Sequence, residues 1–335
     1  MAVLIFLLLI IIHEFGHFLA AKILGVKVNE FAVGFGPKLF SKKIGETVYK
    51  ANLIPLGGYC AMEGEESQSG DERAFCNKPA WRRFIIVIMG ATFNLILGFV
   101  LIAVILAPEK RFTTTVIADF SDSASSQQYG LEKNDKILYV DGRKIFTTYD
   151  LSYAFTNVEN GTVDITVLRD GKEVQLDGVK FDTDEENGIS FIKVDFVVYG
   201  REKTFLSFVS ETFNTGISYC AVIWRSLIDL ISGKYGISAV SGPVGVTVAI
   251  GSVAKQSLRN LLPIAALITI NLGIFNLLPI PALDGGRLLF ISAEMITRKK
   301  VPEKYETLVH TVGFVILIGF MLLITAKDIW SLIFK

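Results

Sequence analysis

The chain is poor in the residues that usually hold metals or build cross-links: its 335 residues include three histidines and three cysteines. Cys60, Cys76 and Cys220 are an odd number at irregular spacing, which excludes a legible disulfide framework and leaves no metal-type cysteine pair. They read as reduced packing residues. An excess of one charge is also lacking. Lys+Arg and Asp+Glu balance at 33 each, so net charge points to no nucleic acid or other polyanionic partner. What the chain has in quantity is apolar side chains, 51% of residues against 20% charged, with a mean hydropathy of +0.48. That is too apolar for an ordinary water-soluble protein and too charged for membrane helices alone.

Four apolar runs, about 2–25, 84–107, 261–283 and 308–326, reach the roughly 20 helical residues that a bilayer crossing needs. The first has no basic n-region and no clear small-residue cleavage pattern, so it reads as a retained membrane helix. Basic residues crowd the stretches 22–83 and 287–304, which the positive-inside rule assigns to the cytoplasm. The expected order is a first span (1–25), a cytoplasmic loop (26–83), a second span (84–107) and an extracytoplasmic domain (108–199). A membrane-lying amphipathic helix and linker (200–260) follow, then a third span (261–286), a cytoplasmic loop (287–307), a fourth span (308–326) and an extracytoplasmic tail (327–335). The first loop holds two short β-branched and aromatic runs, 28–40 and 47–59, punctuated by glycines, which predicts a small sheet at the membrane surface. The insert predicts a strand-turn-strand at 137–145, a short helix at 149–155 and a hairpin turning at Asp170-Gly171. Apolar residues at helical spacing from 205 to 231, interrupted by Glu211, Arg225 and Asp229, predict the amphipathic helix.

The sharpest signal is His13-Glu14-Phe15-Gly16-His17. Residues i and i+4 share one face of a helix, so two imidazoles can bind one zinc ion, and the Glu after the first His stands beside the attacking water as general base. Ionisable groups in a membrane helix are expensive, which argues against a packing role. At about 1.5 Å per residue, His13 lies about 18 Å into a core of about 30 Å. Catalytic zinc usually has three protein ligands and one open position. Asp284 is the candidate third ligand, since Pro279 and Pro281 break the helix before it, and irregular backbone at membrane depth occurs against protein or a water-filled cavity. Its alternative is a turn aspartate at the membrane surface. Asn271, Asn276 and Asn94 are polar residues in apolar spans, where interhelical hydrogen bonding is the ordinary role. Asn276, eight residues before Asp284, could instead hold substrate backbone. Asn94 is assigned to helix packing, and His310 to no role.

These residues resemble those of the bacterial site-2 proteases of the RseP/RasP type, zinc metalloproteases of regulated intramembrane proteolysis. Ile-Ile-His13-Glu14-Phe-Gly-His17-Phe resembles the first family motif and Asn276-Leu-Leu-Pro-Ile-Pro-Ala-Leu-Asp284-Gly-Gly the second. Gly34-Phe-Gly-Pro37 resembles the membrane-associated sheet of the family, and Gly242-Pro-Val-Gly245 its segment before the third span. The resemblance implies His13, His17 and Asp284 as zinc ligands, Glu14 as catalytic base, and Asn276 and Asn271 as substrate-binding residues. Gly130-Leu-Glu-Lys-Asn-Asp135 and its continuation to Asp141-Gly make the insert similar to a PDZ domain, with Asn134 where glycine is usual. The implied fold is a polytopic α-helical membrane protein of four transmembrane helices with a membrane-associated sheet and an inserted extracytoplasmic PDZ-like α+β domain. The implied substrates are single-span membrane proteins, such as anti-sigma factors already shortened outside the membrane, and signal-peptide remnants. The implied location is the cell (cytoplasmic, or inner) membrane.

Two other readings compete. A transporter or metal carrier would use the histidines and Asp284 as an ion pathway, but four spans without a repeat, and a glutamate placed as a base, argue against it. A PDZ scaffold with a dead site conflicts with an intact His-Glu-x-x-His.

Overall fold

The computed structural model describes residues 2–65, 68–156, 158–186, 189–233 and 240–334. They form two compact units, Met1–Leu101 with Ser232–Lys335, and Ile102–Ile231.

Among the described residues, three helices are long and apolar enough to cross a membrane: α1 (Ala2–Ile23), α2 (Ala80–Leu106) and α9 (Glu303–Ile333). None contains a proline inside its turns, and each shows large apolar side chains outward, such as Leu4 and Leu8, Ile96 and Val100, Phe314 and Ile316. Helices apolar on their outer faces suit lipid rather than water. The buried faces use small residues. On α2 the residues Ile86, Gly90, Asn94, Gly98 and Ile102 recur every fourth position and are all buried. A methyl group on Gly16 of α1 would lie 2.3 Å from the Met89 carbonyl oxygen of α2. The two backbones therefore touch, as small residues allow between membrane helices.

Strands β1 (Val28–Ile44) and β2 (Thr47–Met62) form the expected sheet, longer than the sequence runs implied. Each bends along its length, with positive φ at Gly34, Gly36 and Gly57. The bend lets Phe31 pair with Cys60 and also with Tyr49. A side chain at Gly34 would sit 2.6 Å from the Ile54 carbonyl oxygen, so only glycine fits. The sheet lies against α1, where a Cβ on Gly58 would be 3.6 Å from Glu14 Cγ.

The third apolar run is broken. Helix α7 (Leu261–Leu277) stops after 17 residues, because Pro279 and Pro281 cannot continue it. The chain then turns and starts a separate helix at Asp284, the helix Asp284–Thr297 (α8), where the sequence had placed the end of a span and a cytoplasmic loop. A second departure lies upstream. The stretch read as a turn and linker contains a helix, Pro243–Gln256 (α6). Its glycines and β-branched residues are poor helix formers, so propensity hides it. Asp328 of α9 supplies what propensity lacks: its Oδ2 accepts the amides of Gly242 at 2.9 Å and Gly245 at 2.8 Å. An acceptor there satisfies the open N–H groups of the first turn. Added methyl groups on Gly242 and Gly245 would approach Asp328 or its neighbour Ile324, at 2.8–3.0 Å. The Gly-Pro-Val-Gly motif is thus a helix start with room for a carboxylate.

The second unit holds a sheet of order β10–β3–β4–β6–β7 with the short β5 on β4. Its strands are β3 (Arg111–Phe120), β4 (Lys136–Val140), β5 (Arg143–Lys144), β6 (Thr162–Arg169), β7 (Lys172–Lys180) and β10 (Phe196–Glu202), and a separate hairpin is made by β8 (Thr183–Glu186) and β9 (Ile189–Ile192). The helices are the one-turn α3 (Ser125–Gln128), α4 (Thr148–Ala154) and α5 (Phe205–Ile231). Leu131, Ile137, Ile165, Val167 and Phe181 are at most 2% exposed and anchor its core. Asn134 takes φ of 72°, a left-handed conformation that asparagine tolerates better than most residues, which accounts for its standing in a glycine position. Helix α5 buries polar and apolar residues together, Ser207, Thr212, Ser218 and Asp229 with Tyr219, Val222 and Ile223, while Leu206, Phe213, Ile217, Trp224 and Ile228 face outward. The buried polar groups are bonded: Ser218 Oγ donates to Asp150 Oδ2 at 2.5 Å, and Arg143 pairs with Asp229 at 3.0 Å.

Candidate metal centre

His13 and His17 stand one turn apart on α1, on the face turned to α2. Asp284 arrives from the other end of the sequence. The loop that delivers it is tightly constrained. A Cβ on Gly285 would lie 1.9 Å from the Leu278 carbonyl oxygen, and one on Gly313 2.3 Å from Pro281 Cβ. Ala282 takes φ of 74°, strained for a residue with a side chain, and its amide donates to His310 Nδ1 at 3.0 Å. His310, to which the sequence attached no role, holds that loop from α9.

The three side chains meet. Asp284 Oδ2 lies 3.1 Å from His13 Nε2 and 3.2 Å from His17 Nε2, and the two nitrogens are 3.3 Å apart. Tetrahedral zinc with bonds of about 2.0–2.2 Å holds neighbouring donors about 3.3–3.5 Å apart, so this triangle has nearly the right size. Its chemistry agrees. His17 donates its Nδ1–H to the Ile86 carbonyl oxygen at 2.9 Å, which leaves a lone pair on Nε2. Asp284 Oδ2 is buried without a hydrogen-bond partner among the described residues. Lone pairs gathered in a buried place repel one another unless a cation lies between them. The residues fit zinc.

Glu14, Tyr59, Cys60 and Arg287 line, with the three donors, a cavity of about 630 Å³. Arg287 is tied to Glu65, whose other oxygen accepts the Met62 amide at 3.2 Å. Burial pushes the Cys60 thiol up from its ordinary range, and its sulfur is not among the three ligand atoms that gather within 4.8 Å of one another. Gly90 of α2 is the floor of the site: an alanine methyl there would lie 2.3 Å from His17 Nε2 and 2.9 Å from His13 Cε1.

Of the two asparagines assigned to substrate, Asn276 is at the site, its Nδ2 3.4 Å from His13 Nδ1. Asn271 is an exposed residue of α7, and five residues of helix turn it by about 140° from Asn276. Asn94, assigned to packing, lies closer, its Nδ2 3.3 Å from the same nitrogen. No sequence signal marks it; its full burial on the Gly90 face of α2, where a buried amide needs partners, shows only in the structure. His310, Glu65 and Arg287 had no sequence signal of their own, because nothing in the spacing ties them to His13.

Two imidazoles one helical turn apart, a carboxylate meeting them and a glutamate beside them are the donor set and base of the metallohydrolase class. Peptidase family M50 matches residues 1–320, and the chain belongs to that family. A Clostridium perfringens protein named as a zinc metalloprotease is 36% identical over 333 residues, covering 98% of this chain and 97% of the relative. A Fusobacterium nucleatum protein of the same description is 36% identical over 337 residues, covering 97% and 96%. The regulator of sigma-W protease RasP of Bacillus subtilis is 29% identical over 413 residues, covering 98% and 97%. The cofactor is zinc.

Proposed function

We propose that the chain is an endopeptidase that cuts membrane-spanning segments of other proteins inside the bilayer, with His13, His17 and Asp284 as zinc ligands and Glu14 as general base. The observation that carries this is the donor triangle of 3.1–3.3 Å between α1 and the start of α8, with Glu14 on the same cavity. When bound, zinc polarises the scissile carbonyl and lowers the pKa of the attacking water. Glu14 takes the proton from that water. Asn276, beside His13 and at the end of α7, is placed to hold substrate backbone.

A helical substrate hides its carbonyls in its own hydrogen bonds, so it must unwind to be cut. Residues 58–62 support a place for the unwound strand. They pair with 28–33 and line the cavity from Tyr59 to Met62, which makes strand addition beside the metal geometrically direct. Single-span proteins such as shortened anti-sigma factors, or signal-peptide remnants, are the substrates of this reading. The name of the Bacillus subtilis relative, a regulator of sigma-W, supports the first. The protein purified in detergent should carry about one zinc per chain and cut a single-span substrate, and a chelator should remove both together. Cleavage that persists in the metal-free protein would refute the zinc mechanism.

The charge distribution supports four crossings, with α7 and its broken continuation as the third, in a cytoplasmic membrane. The loops with clustered Lys and Arg face the cytoplasm, and the insert, PDZ-like by its sequence resemblance, faces the other side. In a variant whose native cysteines are replaced, Lys299→Cys should react with an impermeant thiol reagent from the cytoplasmic side and Asn160→Cys from the other. Labelling of both from one side would overturn this topology.

A further inference from the structure

The centre uses one ring nitrogen of His13 and leaves the other to be explained. Nε2 faces His17 Nε2 and Asp284 Oδ2, so for metal binding it carries a lone pair and the ring proton sits on Nδ1. That proton needs an acceptor. The groups beside Nδ1 are the amide nitrogens of Asn94 at 3.3 Å and Asn276 at 3.4 Å. Three N–H groups cannot serve one another, so at least one amide must present its oxygen. The orphan atom identifies which. Asn94 is fully buried, and its Oδ1 has no hydrogen-bond partner among the described residues. The two ends of an amide are nearly equal in size, so turning Asn94 over fills the same space and gives the oxygen and the His13 proton to one another, with the NH2 group taking the oxygen's former place.

From this arrangement we infer that Asn94 is a positioning residue that accepts the Nδ1 proton of His13 and holds the ring in its metal-binding tautomer. The Ile86 carbonyl does the same for His17 at 2.9 Å. Both orienting groups lie on α2, two turns apart, with Gly90 between them leaving room for both rings. Asn94 is itself held, since Thr269 Oγ1 of α7 donates to its backbone carbonyl at 3.0 Å. With His13 served by Asn94, the Asn276 amide is free to turn toward a substrate. Partners in this outer position orient a ligand ring and raise its affinity for the metal.

The inference rests on the zinc reading and is tested by metal affinity rather than activity. Asn94→Leu keeps the number of side-chain heavy atoms and removes the acceptor; Asn94→Asp keeps the shape and supplies a stronger one. Zinc affinity of the purified full chain, measured by chelator competition, should fall about 10–100-fold in Asn94→Leu and be at least that of the wild type in Asn94→Asp. The visible spectrum of the cobalt(II)-loaded protein should be shared by wild type and Asn94→Asp and altered in Asn94→Leu. A residue that serves helix packing alone gives the opposite order, because a carboxylate in that interior is worse than leucine. Wild-type zinc affinity in Asn94→Leu, or affinity in Asn94→Asp as weak as a ligand deletion, overturns the inference, and the second result decides even if Asn94→Leu does not fold. A wild type that binds no zinc overturns the zinc reading as well, which separates the two failures.

Discussion

Glu14→Gln should lower cleavage by more than the about 10²–10⁴-fold usual for loss of a general base, while the zinc content stays at the wild-type level. Glu14 is not one of the three donors, so the ligand triangle is untouched, and glutamine has nearly the same shape. The loss should exceed the usual range because the substitution removes both the proton acceptor and a negative charge beside the metal. Turnover of a single-span substrate and metal analysis of the same preparation check it. Turnover near the wild-type rate with zinc in place would remove Glu14 from the role of base.

Asp284→Ala should fail earlier, at metal binding. The substitution deletes the oxygen that lies 3.1 and 3.2 Å from the two imidazoles, and with it the only anionic donor of the triangle. Loss of an orienting partner costs about 10–100-fold in metal affinity, and loss of a ligand should cost more. Affinity measured by chelator competition decides the matter. Equal affinity in Asp284→Ala and wild type would move the third ligand elsewhere. The pair of variants also separates two kinds of inactive protein, one loaded and one empty.

The asparagines show how far spacing arguments reach. Asn276 stands eight residues before Asp284 at the start of a proline-broken segment, and that local pattern is enough to suggest a place near Asp284. Asn94 is 81 residues from His13 in the chain, and nothing in its neighbourhood distinguishes it from a residue that bonds two membrane helices together. Its relation to His13 depends on α1 and α2 touching at Gly16 and Gly90, a contact between backbones that no periodicity specifies. Helix α6 was missed for a related reason. Its start depends on an aspartate 83 residues away at the far end of α9, while its own composition argues against a helix.

The sequence by itself determined the metal motif, the apolar helices, the paired strands near the first helix and the strand-rich insert. Each of these follows from interactions within a few residues: helical spacing, hydrophobic runs, glycine turns. The sequence also nominated Asp284, but only tertiary structure brings it against the two imidazoles, and tertiary structure alone decided that Ile86 and Asn94 flank those rings and that His310 and the glycines around Pro281 hold the loop in place. Those arrangements are set by which helix backbones can approach closely enough to meet, and close approach is a property of two surfaces together.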